Sequence, residues 1–195
     1  LITCLILFEI LLSQWRHREK LIQHLSQIDP LTNALNRRSI SDCLEKLERK
    51  PTTSYALVLI DLDHFKRIND QYGHDKGDET LIKVSEVLSQ IIRDSDVVGR
   101  FGGEEFILIL NQSSLEQAKI IAERCRQAIQ QLNLISDLGE TIQVTASFGI
   151  ALSNTLLRPQ QLLSQADKAL YEAKACGRNQ VKCYQEELLR EAKLC

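Results

Sequence analysis

Tyr55 to Ile60 is an unbroken apolar run, the pattern of a strand buried on both faces. Amphipathic patterns flank it on either side. Upstream, Ile40, Leu44 and Leu47 fall on one face of a helix predicted from about Arg37 to Arg49. Downstream, Leu81, Val84, Leu88 and Ile91 recur at helical spacing, and so do Leu115, Ala118, Ala122, Cys125, Ile129 and Leu132. A last long helix is read from Leu162, Ala166, Ala169 and Ala173, with Gly177 as its stop signal. Asp96 to Phe101 and Phe106 to Leu110 read as the two strands of a hairpin. Ile142 to Leu152 alternates as a half-buried strand, and Val181 to Tyr184 suits an edge strand. Pro51 to Ser54 is a turn, and Asn69 to Asp78 reads as a polar loop carrying two glycines. From Tyr55 the order is strand, helix, hairpin, helix, strand, helix, strand. That predicts an α+β fold, a sandwich of helices packed on a largely antiparallel central sheet.

The ends of the chain carry different patterns. Leu1 to Leu12 is almost wholly apolar, then Trp15 and the basic Arg16, Arg18 and Lys20 follow. The run is shorter than the ~20 residues a helix needs to cross a bilayer. With its aromatic and basic border it reads as the cytoplasmic end of a truncated membrane span, an amphipathic or buried helix being the alternative. A start at Leu1 and the absence of methionine lead us to expect a piece of a longer protein. Residues 1–15 are therefore taken as the span and 16–28 as a linker helix, with Leu21, Leu25 and Ile28 as a short seam for a second copy. Asp29-Pro30-Leu31-Thr32 closes that helix, because proline disfavours helical geometry in the residue before it. Residues 29–185 form the main domain, and 186–195 a terminal helix.

Carboxylates stand at two of the strand ends. The hairpin tip is Phe101-Gly102-Gly103-Glu104-Glu105-Phe106, where the glycines suit a tight turn and leave bare backbone for another molecule to approach. Glu104 and Glu105 are adjacent, so on a strand they would face opposite ways. The apolar run ends at Asp61-Leu62-Asp63, two acids sharing a face. Burying both without a cation is costly, which favours a divalent metal; capping of the next helix remains an alternative for Asp63. Lys66 lies one turn into that helix, within reach of anionic oxygens. Asn69 and Asp78 together offer the donor and acceptors that read a guanine edge, and as isolated residues they would serve turns. Lys174 and Arg178 are four apart near a helix end and can face one anion, or simply close the helix.

Composition narrows the classes. With 44% hydrophobic and 26% charged residues the chain is globular. A net charge of −2 supplies no basic footprint, so duplex nucleic acid is not an expected partner. No P-loop pattern occurs. The six cysteines show no zinc-type spacing, and Cys43 and Cys125 fall on apolar helix faces, as reduced, buried thiols do.

From Asp29 to about Tyr184 the chain resembles the GGDEF domains, the diguanylate cyclases, in the GGEEF variant. The resemblance rests on Asp29-Pro30-Leu31-Thr32 with Asn36-Arg37-Arg38, and on Asp61-Leu62-Asp63-His64-Phe65-Lys66 with Asn69-Asp70. It continues through Gly73-His74-Asp75 with Gly77-Asp78, Gly102 to Phe106, Ala166-Asp167 with Ala169-Leu170-Tyr171, and Lys174 with Gly177-Arg178-Asn179. It implies a fold similar to the polymerase palm and to class III nucleotidyl cyclases. It also implies condensation of two GTP into cyclic di-GMP and two pyrophosphates by a homodimer, with two Mg²⁺ or Mn²⁺ ions per active site.

Residue by residue, Asp61, the Leu62 carbonyl and Glu104 match metal ligands. Glu105 matches a second acid that serves the second metal or the 3′-hydroxyl. Asn69 and Asp78 match guanine readers, while Lys66, Lys174 and Arg178, with His64 and Phe65, match the triphosphate site. Gly102 and Gly103 match backbone lying against the nucleotide. Arg93-Asp94-Ser95-Asp96 stands where the family's RxxD inhibitory product site lies, and Arg124 resembles the basic residue that completes it from a neighbouring domain. The resemblance thus implies a cytoplasmic signalling domain, expected to be tethered to the inner membrane by its N-terminal segment. The alternative is a catalytically silent domain that binds GTP or cyclic di-GMP as a sensor, or acts as a dimerisation module.

Overall fold

The computed structural model describes residues 27–48, 54–153 and 158–184. Helix α1 (Arg37–Glu48) is capped by Asn36, whose Oδ1 accepts the Ser39 N–H at 3.0 Å. Strand β1 (Tyr55–Leu62) is buried along its whole length, as its continuous apolar run predicts. It is followed by α2 (Phe65–Tyr72), α3 (His74–Ile91), and the hairpin of β2 (Val97–Arg100) and β3 (Glu105–Asn111). Helix α4 (Leu115–Gln130) opens on a capping box formed by Ser114 and Gln117. Two short strands, β4 (Leu134–Ile135) and β5 (Thr141–Ile142), precede β6 (Ala146–Leu152), α5 (Pro159–Ala175) and β7 (Val181–Cys183).

The main sheet has the order β2-β3-β1-β6-β7. All pairings are antiparallel except β6 with β7, so the largely antiparallel α+β fold expected from the pattern is the fold observed. Because β1 lies in the middle, each of its faces needs its own apolar cover. Even positions (Ala56, Val58, Ile60, Leu62) pack with α2, α3 and α4, through Phe65, Leu81, Val84, Leu88, Ala122 and Cys125. Odd positions (Tyr55, Leu57, Leu59) pack with α1 and α5, through Ile40, Leu44, Leu162, Ala166 and Leu170. Cys125 is a free thiol, and burial pushes its pKa up to about 12.

Several local expectations are corrected. The stretch from Asn69 to Asp78 is not a loop: α2 runs to Tyr72, and Gly73, at φ 88, turns the chain directly into α3. Gly77 is therefore inside a helix, where its lack of a side chain lets Asn69 and Phe65 pack against the backbone. The strand near Ile142 is interrupted, since β5 pairs with β4 in a separate small sheet. Strand β6 is covered on both faces rather than half-buried, because β1 and β7 flank it and helices lie above and below. Ile28, the last member of the proposed seam, forms an isolated bridge with Leu35 and is not helical.

The expected membrane tether is also not supported. Among the described residues no helix is long and apolar enough to cross a membrane. Leu1 to Leu12, on which the tether and the inner-membrane location rested, lies outside the described residues, as do Leu21, Leu25 and the tail from Gln185.

Candidate active site

The site lies where β1 ends and β3 begins. Asp61 stands opposite Glu105 across the β1–β3 pair, and the Leu62 N–H donates to the Glu104 carbonyl at 3.3 Å. Residues 57, 59, 107 and 109 of these strands face the second core, so alternation puts Asp61 and Glu105 on the α5 side of the sheet. The last turn of α5 delivers Lys174, whose Nζ is 2.8 Å from Asp61 Oδ2. Glu104 precedes β3, so strand alternation does not separate it from its neighbours. Burial is the main reason its carboxyl is held above the usual range; the negative charges of Asp61 and Glu105 push the same way, against the Lys174 ammonium.

Three mutually repelling carboxylates supply hard oxygen donors, a set that fits a divalent cation. Among the described residues, however, no group of three His, Cys, Asp or Glu is gathered closely enough to hold a metal by itself. Backbone or substrate oxygens would have to complete the shell.

The glycines of the turn act differently from expectation. Neither Gly102 nor Gly103 adopts a positive φ. At Gly102 a Cβ would stand 2.3 Å from Glu105 Oε2, the end of an exposed side chain that could swing aside. Gly103 has open surroundings, with no heavy atom within 4 Å of such a Cβ. The turn is instead held by Arg100, whose Nε and Nη2 donate to the Gly103 carbonyl at 3.1 and 2.8 Å. Its Nη1 reaches Asp29 Oδ1 at 3.2 Å, tying the hairpin to the start of the domain. Asp29 also accepts the Thr32 N–H and hydroxyl at 3.0 and 2.8 Å. Burial opposes its charge most strongly, yet these bonds and Arg100 together hold its carboxyl below the usual range. Sequence reasoning missed Arg100, although a lone cation beside an acidic tip was the available signal.

The other predicted residues lie on α2, α3 and the turn after α5, at varied exposure. His64, exposed and left-handed at φ 57, and Lys66, also exposed, lie at the start of α2. Phe65 is 6% exposed and belongs to the core, so it can offer a ligand only its backbone. The Asn69 side chain rests on Gly77, next in sequence to the exposed Asp78. Arg178 is exposed beyond α5, in a turn where its N–H donates to the Ala173 carbonyl at 3.0 Å and Gly177 adopts φ 108. Asp63 does not share the site with Asp61. It is buried, accepting from Thr145, Ser147 and Asn179.

Arg93 and Asp96 occupy the turn between α3 and β2. Asp96 Oδ2 accepts the Arg93 N–H at 3.2 Å and Oδ1 the Asn111 N–H at 3.0 Å, so the acid first of all shapes the turn. Arg93 is exposed at the rim of a groove of about 300 Å³ lined also by Ile28, Leu35 and Val98. Arg124 is exposed on α4.

Comparison with known proteins accords with this geometry. The family described as "Diguanylate cyclase, GGDEF domain" matches residues 26–180. Cyclic di-GMP phosphodiesterase NbdA of Pseudomonas aeruginosa is 37% identical over 93% of this chain, which spans 24% of that protein. Diguanylate cyclase DosC of Escherichia coli is 37% identical over 87% of this chain and 38% of its own length. The chain thus spans well under half of either relative. The crystal structure of the GGDEF domain of DgcB from Caulobacter crescentus, in complex with c-di-GMP, superposes with a TM-score of 0.78. It is 29% identical, covering 82% of this chain and 96% of that one. A β1 end whose Asp61 meets Lys174 and stands opposite a Gly-Gly-Glu-Glu hairpin, on this fold and with a family match over residues 26–180, marks the chain as a member of the GGDEF family of diguanylate cyclase domains.

Proposed function

We propose that this domain condenses two GTP molecules into cyclic di-GMP, releasing two pyrophosphates. The observation that carries the reading is the convergence of Asp61, Glu104 and Glu105 at one hairpin beside Lys174, 2.8 Å from Asp61. In each half-reaction the 3′-oxygen of one GTP bonds to the α-phosphorus of the other, and the bond to pyrophosphate breaks. The hydroxyl proton leaves towards Glu105. Such transfers depend on positioning and charge stabilisation more than on covalent help.

Asp61, Glu104, Glu105 and the Leu62 carbonyl would hold Mg²⁺ or Mn²⁺, two ions per site in this reading. When bound, the metal supplies Lewis-acid stabilisation of phosphoryl oxygens and eases ionisation of the attacking hydroxyl. Lys66, Lys174 and Arg178 neutralise the triphosphate, assisted by backbone N–H groups at His64 and Phe65 where α2 begins. Asn69 and Asp78 read the guanine edge, and the open backbone at Gly102 and Gly103 admits the nucleotide. Two copies of the domain face each other across their hairpins, each bringing one GTP. The product returns to the groove at Arg93 and Asp96, with Arg124 of a second copy, and slows turnover.

The test is product formation from GTP and Mg²⁺, followed by chromatography, on the chain alone and with a fused dimerising helix. Glu104→Gln keeps the volume and removes an anionic ligand; it should lower turnover ~10²-fold or more, by analogy with other lost transition-state contacts. Activity of a folded variant within a few-fold of the parent refutes the assignment. Binding of GTP by the parent without product would make the domain a nucleotide sensor.

A further inference from the structure

Resting on the reading above, we infer that Asp63 is a positioning residue for the triphosphate site, holding Arg178 in place through the backbone of Asn179. The two acids that end β1 differ sharply. Both are buried, at 8% and 6% exposed, but Asp61 pairs across to Glu105 of the hairpin, whereas Asp63 lies just past the strand with other partners. Its Oδ1 accepts the Ser147 hydroxyl at 2.7 Å, and its Oδ2 accepts the Thr145 hydroxyl at 2.8 Å. Oδ2 also accepts the Asn179 N–H at 3.0 Å. The Asp63 N–H donates to the Thr145 carbonyl at 2.8 Å, which locks the residue to the segment leading into β6. A buried carboxylate with three donors is fully engaged, and turning it outward would strand those donors.

The third donor explains what this arrangement does. After α5 the chain passes through Gly177 at φ 108, Arg178 at φ 62 and Asn179 at φ 44. Two consecutive non-glycine residues in left-handed geometry persist only where their surroundings over-determine them. Here Asn179 is held twice. Asp63 takes its N–H, while its Oδ1 accepts from Arg126 Nη1 at 2.8 Å and its Nδ2 donates to Gln130 Oε1 at 3.2 Å. Arg126 is itself braced by Glu123 at 2.9 and 2.6 Å. Arg178 is exposed next to this double anchor, and its backbone conformation sets the direction in which the side chain leaves the chain and so the region the guanidinium can reach. His64, the residue after Asp63, is left-handed as well, at φ 57. One carboxylate therefore joins the two strained segments that flank the phosphate end of the site.

A merely structural acid would lower stability and leave nucleotide affinity alone; a positioning acid acts through Arg178. The experiment is calorimetric titration of the chain with a non-hydrolysable α,β-methylene analogue of GTP and Mg²⁺. The proteins compared are the parent, Asp63→Asn, Arg178→Ala and the double variant. Asp63→Asn should weaken binding roughly tenfold, the scale of one charge-assisted phosphate contact. Arg178→Ala should do the same, and the double variant should bind no more weakly than Arg178→Ala. If Asp63→Asn does not fold, Thr145→Val removes the hydroxyl that fixes the same Oδ2 which holds Asn179, and should show a milder loss with the same dependence on Arg178. Parent-like affinity in Asp63→Asn, or losses that add in the double variant, overturn the inference while leaving the function standing. A parent that binds no nucleotide overturns both.

Discussion

At Gly149 the sheet packs directly against the backbone of a helix. It lies in β6, opposite Leu59 of β1 and Lys182 of β7. A Cβ built there would stand 2.2 Å from the Ala166 carbonyl oxygen, 2.3 Å from the Leu170 nitrogen and 2.8 Å from the Leu170 Cα. All three atoms are backbone of α5, so no side chain can rotate away. Gly149→Ala must lift the helix from the sheet by more than an ångström. Overpacking a well-filled core costs ~1–3 kcal/mol, and rigid neighbours place this case at the upper end. For a domain of this size that lowers the melting temperature by roughly 6–12 °C. The lift also draws Lys174 from Asp61, now 2.8 Å away, so product formation should fall more than stability alone explains. Gly103→Ala is the control, because nothing lies within 4 Å of its Cβ. It should stay within ~0.5 kcal/mol of the parent in stability. Thermal and urea melts followed by circular dichroism measure both variants. A Gly149→Ala protein as stable as the Gly103→Ala control would refute the packing argument.

Two further outcomes test the proposed substrate and its regulation. GTP should be preferred over ATP, since an unpaired buried polar group costs ~1–3 kcal/mol, and Asp78→Ser should narrow that gap in competing-substrate rates. Equal use of ATP by the parent would count against guanine reading by Asn69 and Asp78. Added cyclic di-GMP should slow the parent without competing with GTP, and Arg93→Ala should relieve this with little change in initial rate. Identical inhibition of both proteins would mean that the groove beside Arg93 is not the product site.

The fold was legible because its signals are periodic and strong. The unbroken run at Tyr55 to Ile60 reads as a strand covered on both faces, and it became the middle of the sheet. The hairpin with its acids and the stop at Gly177 were equally local, since chain stiffness and turn chemistry act over a few residues. Local signals also misled. Polar residues and two glycines between Asn69 and Asp78 look like a loop, but Gly77 is a helix residue whose missing side chain makes room for Asn69. Alternation in β6 suggested one wet face, and only the placement of β1, β7 and the helices could show that both faces are dry.

The site divides along the same line. Which residue types are present, and that acids end β1 and open β3, is written in the chain. Their division of labour is not, because it depends on donors far away in sequence. Asp61 and Asp63 are indistinguishable as letters. Asp61 meets Glu105 and Lys174, while Asp63 is claimed by Thr145, Ser147 and Asn179, the last of them 116 residues away. Likewise, nothing in the spacing of Arg100 announces that it bridges Gly103 and Asp29. Local sequence sets backbone preferences and apolar faces, whereas burial and hydrogen-bond partners are properties of the assembled tertiary structure. Those contacts decide which carboxylate meets the hairpin and Lys174, and which one is claimed by the segment entering β6 and the turn after α5.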